Sequence, residues 1–250
     1  VESVPQCCGN EVVEGDDEQC DDGDDIPWDG CTECKVTEFQ VNTHTAGQQK
    51  DPVVARLDDG GFLVVWVGWG AQDCGGKGIF AQRFDEHFQR LGNEFQVNEI
   101  CEGNQINPSV ATLDSGDVAI VWTHGAATDP NKRDIHARVY RADVGLGNVF
   151  EVGDQTQWDD TQPAVAALTD ARFVVVWASH YVEDYRFIFH QVFHATGGKE
   201  TGALMGVTHQ LNHHEHPVVT HVGEDYFVVV WQSKATSEFA HDFDGWGITQ

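Results

Sequence analysis

A proline and a tryptophan recur four times at one fixed spacing, and this repeat constrains the fold more than any other feature of the chain. The four pairs are Pro52–Trp66, Pro108–Trp122, Pro163–Trp177 and Pro217–Trp231. Each gap is fourteen residues, and successive prolines lie 56, 55 and 54 residues apart. A period of this length predicts a repeat architecture in which each repeat is one supersecondary unit.

Each repeat reads as four short β-strands. An extended segment begins thirteen residues before the proline, and the proline is predicted to start the second strand, where its missing N–H costs least. An Asp/Gly turn and a continuous apolar run ending at the tryptophan follow, and a variable polar loop precedes the fourth strand. The first segments are 39–42, 95–98, 150–153 and 204–207. The tryptophans are predicted to wedge adjacent units together, because a large aromatic at an equivalent position packs the repeat.

Four strands in about 55 residues predict an all-β, β-propeller-like domain of four tandem four-stranded repeats over residues 36–250. A two-sheet sandwich is the alternative. The repeats are out of phase with the ends of the chain, since 39–42 lacks a preceding repeat and the last strand begins only at 247–250. Three readings stay open: segment 39–42 completes the last sheet, a neighbouring molecule supplies the strand, or the chain is a fragment.

Residues 1–35 are predicted to form a small separate domain, a cysteine-rich knob. Five of the seven cysteines fall here, at positions 7, 8, 20, 31 and 34. This density predicts disulfides and therefore a secreted, extracellular or cell-surface protein. A zinc site is the weaker alternative, because Cys31–Cys34 has no second CxxC pair. Cys74 and Cys101 fall on loops of one predicted face, and we expect a disulfide between them. The start at Val1, without a leader segment, fits a processed form.

The charge balance restricts the partners. The chain has 41 acidic and 14 basic residues, a net charge of −27. Nucleic acid and anionic membrane surfaces both require cationic side chains, so neither is expected as a partner. No apolar run is long enough to span a membrane. Calcium is the favoured cation, and the predicted ligands in the knob are Asp21, Asp22, Asp24 and Asp29. The alternative is a solvated acidic surface that keeps the protein soluble.

Aromatic residues in the variable loops are candidates for stacking on sugar rings. They are Trp69, Trp158, Trp246 and Tyr181. Packing of the loops on the units is the alternative. The chain contains no GxSxG, HExxH, phosphate-binding loop or GxGxxG motif, and no acidic pair stands out. These observations predict a protein that is not an enzyme.

The knob resembles a cysteine-rich repeat of myxobacterial and other secreted proteins. The match runs over residues 8–34 and rests on the CGN at 8–10, the CDDG at 20–23 and the DGC at 29–31. Cys7 and an insert around Ile26–Trp28 depart from the pattern. The later units resemble tandem repeats of large secreted surface proteins. Both resemblances imply an extracellular location, and neither adds an active site.

Together these features predict a non-enzymatic extracellular structural or adhesive protein. It is expected to self-associate as the protomer of a filament or surface assembly, joined by strand complementation at the unfinished seam. The alternative is a monomeric carbohydrate- or ligand-binding propeller, with glycans as partners.

Overall fold

The computed structural model describes residues 39–69, 76–125, 132–153, 158–180, 185–200, 213–223 and 226–234, and the backbone alone at 31–32, 35–36, 181–182 and 205–206. These residues form β-strands and contain no helix, which confirms the all-β prediction for this part of the chain. The predicted knob and its four calcium ligands, Asp21, Asp22, Asp24 and Asp29, lie outside the described side chains.

The strands group into four successive units. A two-residue pair comes first, β1 (Cys31–Thr32) and β2 (Lys35–Val36). Unit 1 contains β3 (Gln49–Arg56), β4 (Phe62–Trp69), β5 (Lys77–Phe84) and β6 (Arg90–Gln96). Unit 2 contains β7 (Asn104–Thr112), β8 (Val118–Gly125), β9 (Arg133–Arg141), β10 (Gly145–Leu146) and β11 (Phe150–Glu151). Unit 3 contains β12 (Asp159–Ala167), β13 (Arg172–Val182), β14 (Tyr185–His194) and β15 (Met205–Gly206). Unit 4 contains β16 (His213–Gly223) and β17 (Tyr226–Lys234).

Within each unit, neighbouring strands pair antiparallel in chain order. The first strands β3, β7, β12 and β16 pack against one another in sequence and form the inner edge of the array. We call them the inner strands. The second strands β4, β8 and β13 are buried on both faces, as their continuous apolar runs predict.

The segment predicted to open each repeat belongs to the unit before it. β6 pairs with β5, β11 with β9, and β15 with β14, so each is the fourth, outer strand of the preceding sheet. The alternating apolar pattern of such a segment fits either neighbour, and only tertiary pairing decides between them. Residues 39–42, predicted as a strand, are not assigned to one.

The prolines lie inside the inner strands rather than at their starts. Pro52 is the fourth residue of β3, and the register of each inner strand shifts at its proline. The cause is that proline has no N–H for the ladder, so the strand bulges there. The residue before each proline has a positive φ of 51° to 56°; these residues are Asp51, Asn107, Gln162 and His216.

Three apolar seams hold the units together. Leu63, Val65 and Val67 of unit 1 pack with Trp122 of unit 2. The same arrangement recurs between Val121 and Trp177, and between Val176 and Trp231. Trp122, Trp177 and Trp231 therefore each pack against the unit before their own, which confirms the predicted wedge at the three described seams.

The turns between the first two strands of each unit need residues with positive φ. Gly60 (φ 89°) and Gly116 (φ 80°) supply it in units 1 and 2. Unit 3 uses Asp170 (φ 59°) and Ala171 (φ 52°) instead. Ala171 carries a Cβ in a conformation that favours glycine, so this turn is strained.

The described units do not close into a ring. Val54 on β3 is 65% exposed and Val218 on β16 is 59% exposed, so the sides of units 1 and 4 that would face each other are unpacked. In the part of the chain that is described, no helix has the length and apolarity to cross a bilayer.

Candidate functional site

Each tryptophan of the repeat is fixed by a hydrogen bond inside its own unit. The indole Nε1 of Trp66 donates to Gln49 Oε1 at 2.9 Å. The same bond joins Trp122 to Gln105 at 3.2 Å and Trp231 to Nδ1 of His214 at 3.1 Å. The acceptor always lies three residues before the proline and seventeen before the tryptophan. We call this bond the indole latch.

Unit 3 places a carboxyl group at the acceptor position of the latch. Asp160 is 1% exposed, and burial raises its pKa to about 7. The neighbouring polar groups of Ser179 and Trp177 oppose this shift, because they favour the charged carboxylate. Among the described residues, Asp160 Oδ1 has no hydrogen-bond partner. A buried carboxyl in this state is largely protonated below pH 7.

An ion pair joins units 2 and 3 beside this carboxyl. Arg133 Nε donates to Asp159 Oδ1 at 2.7 Å, and the pairing raises the pKa of Arg133. The equivalent pair between units 3 and 4 is Arg186 with Glu215 at 2.5 Å. Both arginines lie at the start of the third strand of one unit, as its first or second residue, and reach the inner strand of the next. These ion pairs fix adjacent units at the end of the inner strands where the latches lie.

A pair of stacked histidines lies beside the indole latch of unit 2, where the His136 ring is 6.0 Å from that of Trp122. The rings of His124 and His136 are 4.4 Å apart, and His124 Nδ1 is 2.8 Å from Gln105 Oε1. Burial lowers the pKa of both, to about 4 for His136, and burial also raises the pKa of nearby Asp134. Equivalent positions to His136 are phenylalanines in units 1 and 3. The histidines are therefore neutral packing groups at pH 7.

A cavity lies on the axis, where the four inner strands end. Its volume is about 590 Å³, within the range of about 300–1,000 Å³ typical of small-molecule sites. All four units contribute to it. The lining residues are Arg56, Leu57, Asp58, Thr112, Leu113, Asp114, Ala167, Leu168, Thr169 and His221. We call it the axial cavity.

Two carboxylates reach the axial cavity from equivalent positions in units 1 and 2. Asp58 lies beside Gly116 of the next unit, at whose α-carbon an added Cβ would be 3.0 Å from Asp58 Oδ2. Asp114 Oδ1 accepts a hydrogen bond of 2.6 Å from the backbone N–H of Ala171. Asp114 therefore ties its own turn to the turn of unit 3, and Asp58 lies against the turn of unit 2.

The predicted sugar-stacking residues do not form one surface in the described structure. Trp69, 44% exposed, ends β4 in unit 1, with Lys77 Nζ 5.3 Å from its ring. Trp158 precedes β12 in unit 3 and packs 5.5 Å from Phe189, a contact that fits the alternative of packing on the unit. No described contact joins the two tryptophans. Tyr181 contributes only its backbone, to β13, and Trp246 lies outside the described residues.

One of the two cysteines that are predicted to pair, Cys101, lies in the part of the chain that the structure describes. Cys101 is disulfide-bonded, and its predicted partner Cys74 lies outside the described residues. The described side chains contain no group of three histidine, cysteine or acidic residues placed to hold a metal ion.

Sequence reasoning missed the axial cavity. It placed functional residues on the face with long variable loops, and the cavity opens among the short uniform turns. The residues that line it are separated by about one repeat length in sequence. Only the ring-like packing of the inner strands brings them together, and no local motif marks them.

Comparison with known proteins shows the fold. No family model matches the chain, and no curated protein matches it. An α-L-arabinanase of Penicillium chrysogenum, solved with arabinobiose, is similar at 13% identity and TM-score 0.58, over 80% of this chain and 61% of that one. A Dyadobacter fermentans protein of unknown function gives 14% and 0.56, over 76% and 58%. A Hadza microbial sialidase gives 8% and 0.54, over 74% and 42%.

These likenesses support the β-propeller-like reading of the repeats. The chain spans between 42% and 61% of the length of these three proteins. The prediction of a non-enzymatic structural or adhesive filament protomer is wrong, because glycan-cleaving enzymes recur among proteins of similar structure. The prediction that the chain is not an enzyme is wrong for the same reason. That prediction rested on the absence of known catalytic sequence motifs. A site built from residues of several repeats need not contain such a motif.

Proposed function

We propose that the chain is a carbohydrate-active enzyme that hydrolyses a glycosidic bond in the axial cavity. The observation that carries the proposal is a cavity of about 590 Å³ on the axis with two carboxylates at equivalent positions, Asp58 and Asp114. Its size suits one or two sugar rings. The fold shared with an arabinanase and a sialidase supports the same reading.

The residues supply the chemistry that this reaction needs. Hydrolysis of a glycosidic bond uses one carboxyl group to protonate the leaving oxygen and a second as base or nucleophile. In the proposal, Asp58 and Asp114 share these roles. The bond from Ala171 N–H occupies Oδ1 of Asp114 and orients the carboxylate, which leaves Oδ2 for the substrate.

The remaining lining residues fit a sugar. Arg56, Thr112 and His221 offer polar groups for hydroxyls, and leucines at positions 57, 113 and 168 offer apolar surface for a ring face. Trp69 remains a predicted stacking residue for a longer glycan, and secretion and calcium binding by the knob remain predictions from the sequence.

The test is turnover by the purified full chain on aryl glycosides, including α-L-arabinofuranosides and sialosides. Asp58→Asn and Asp114→Asn are each expected to lower the rate by about 10²- to 10⁴-fold, the usual contribution of an acid or base. Asp170→Asn is the matched control, because Asp170 lies in the equivalent turn of unit 3 but does not line the cavity. It should keep the full rate.

Binding and hydrolysis are separated by titration calorimetry with arabinobiose and other short oligosaccharides. Both asparagine variants should still bind sugar, since they keep the shape of the cavity. Sugar binding by the wild type with no turnover of any substrate would refute hydrolysis. Turnover that is unchanged in both variants would refute the assignment of the site.

A further inference from the structure

The residues that line the axial cavity form three layers, because they come from equivalent positions of the repeat. They lie four, five and six residues after the repeat prolines. The second layer is made of leucines at positions 57, 113 and 168. The first layer consists of Arg56, Thr112, Ala167 and His221, and the third, in the turns, of Asp58, Asp114 and Thr169. The cavity therefore has a polar layer with a cation, an apolar layer and a layer with two carboxylates.

Arg56 differs from every other arginine of the chain in its bonding. Six of the eight arginines form ion pairs with an aspartate or a glutamate. Arg90 donates to the backbone carbonyl of Gln40. Among the described residues, the guanidinium of Arg56 has neither kind of acceptor, although the chain has 41 acidic residues and only 14 basic ones. Its N–H donors are therefore left for a ligand in the cavity that it lines.

The backbone at Arg56 is held from the neighbouring unit. Thr112 Oγ1 donates to Arg56 O at 2.5 Å. This bond joins equivalent positions of units 1 and 2, and it uses only the backbone of Arg56. It fixes the point from which the side chain extends, and it is kept when that side chain is replaced.

The guanidinium of Arg56 suits one kind of group found on sugars, the carboxylate. It can bind a carboxylate through two parallel N–H bonds, whereas a sugar hydroxyl needs no cation. The negative charges of Asp58 and Asp114 disfavour an anionic ligand, so an acidic sugar requires a cation in the same cavity.

We propose that the axial cavity takes a sugar that carries a carboxylate, as uronic and sialic acids do, and that Arg56 binds this carboxylate. Asp58 and Asp114, in the third layer, then face the glycosidic bond. The reaction on such a sugar rests on the proposed hydrolase function, whereas recognition of its carboxylate does not.

Paired 4-nitrophenyl glycosides test the preference in the purified full chain. Each pair shares one sugar ring and differs only in carrying a carboxylate or a hydroxymethyl group at C5: glucuronide with glucoside, and galacturonide with galactoside, in both anomers. The acidic member should have the higher kcat/KM. Arg56→Gln should lower the acidic-to-neutral ratio by about 10- to 100-fold, mostly through KM, because it removes a charge-assisted hydrogen bond.

Two further variants define the role of the side chain. Arg56→Lys keeps the charge but not the planar fork, so it should retain only part of the preference. Arg141→Gln is the matched control, since it removes the same charge at a residue that does not line the cavity. It should keep the full ratio. The melting temperature of Arg56→Gln should equal that of the wild type, because the bond from Thr112 is to the backbone.

Titration calorimetry with free sugars separates this inference from the hydrolase function. Glucuronate, galacturonate and N-acetylneuraminate should bind the wild type more tightly than glucose and galactose do, with a Kd that rises with salt. Arg56→Gln should abolish this advantage. The acidic sugar that binds most tightly identifies which source of carboxylate the cavity takes.

The two proposals fail in different ways. Tight binding of acidic sugars with no turnover of any glycoside would refute hydrolysis and leave this inference standing. Turnover without a preference for the acidic member, or a preference that survives in Arg56→Gln, would overturn this inference and leave hydrolysis intact. Absence of binding by all three acidic sugars would also overturn it.

Discussion

Replacing Asp160 with asparagine should make the protein more stable at alkaline pH and leave its stability unchanged at acid pH. Asparagine has the same shape and keeps an oxygen for the indole latch of Trp177, but it cannot ionise. Asp160 has a pKa of about 7 in the folded protein because it is buried, against 3.8 for an exposed carboxyl. The folded state therefore holds the proton more tightly than the unfolded state.

The sign and size of the effect follow from this difference. Between pH 4 and pH 7 the unfolded chain has lost the proton and the folded chain retains it, so wild-type stability falls as pH rises through this window. The pKa difference corresponds to about 4 kcal/mol at full ionisation, at 1.36 kcal/mol for each pKa unit. The Asp160→Asn variant lacks this term and should gain up to about that amount over the wild type at pH 8.

The assay is urea denaturation of both proteins at pH 4 and pH 8. The quantity of interest is the change between the two pH values in the variant-minus-wild-type free energy of unfolding, because other titrating groups cancel in it. Asp160→Gln supplies the residue that units 1 and 2 carry at this position, and it should behave in the same way. Asp170→Asn, in an exposed turn, should show no such change. If the profiles of wild type and Asp160→Asn run parallel, Asp160 is ionised in the folded protein and the reasoning fails.

Three further changes test the structure elsewhere. Burial lowers the pKa of His136 to about 4 in the folded protein, so wild-type stability should fall as pH drops from 6.5 to 4. His136→Phe, which supplies the residue type found at the equivalent Phe80, should remove about 3 kcal/mol of that loss, as measured by denaturation at pH 7 and pH 4. Trp122→Phe removes the indole donor of the latch but leaves His124 Nδ1 2.8 Å from Gln105 Oε1, so it should lower the free energy of unfolding by about 1 kcal/mol, the net contribution of one hydrogen bond; no loss would show that the latch contributes nothing. Ala171→Gly relieves a positive φ and should raise the unfolding free energy by about 1 kcal/mol, while a lower melting temperature would contradict the strain.

The strands and turns of this fold could be predicted because their causes are local. A run such as FLVVW at 62–66 records burial on both faces, and Asp-Gly pairs record the positive φ of a tight turn. The pairing of the outer strands could not be predicted, since the pattern at 95–98 is the same whichever sheet receives it. The bulge at each proline also escaped, because a strand that continues before a proline looks in sequence like one that starts there.

The indole latch could not be predicted from the sequence, because its acceptor is not one fixed residue type. An indole N–H needs only an acceptor, so glutamine, aspartate and histidine all serve, and the four acceptor positions carry three residue types. Its sequence signal is a polar residue three positions before each proline, which is visible only once the tryptophan partner is known. The axial cavity could not be predicted from the sequence, because Asp58 and Asp114 look like ordinary turn residues. Only the arrangement of the inner strands brings them to one cavity.

The latch joins two residues of one unit, whereas in units 2, 3 and 4 the tryptophan ring that it holds packs against the unit before. Each of these units thus contains both the tryptophan that packs across the seam and the hydrogen bond that fixes it, and the neighbouring unit supplies only an apolar surface. Duplication of the gene segment that encodes one unit would therefore add a complete contact between units, with no compensating substitution needed in the neighbouring unit. The number of units in such an array can then change in evolution. The acceptor of the latch can also change, as Gln49, Asp160 and His214 illustrate, while the contact between units is kept.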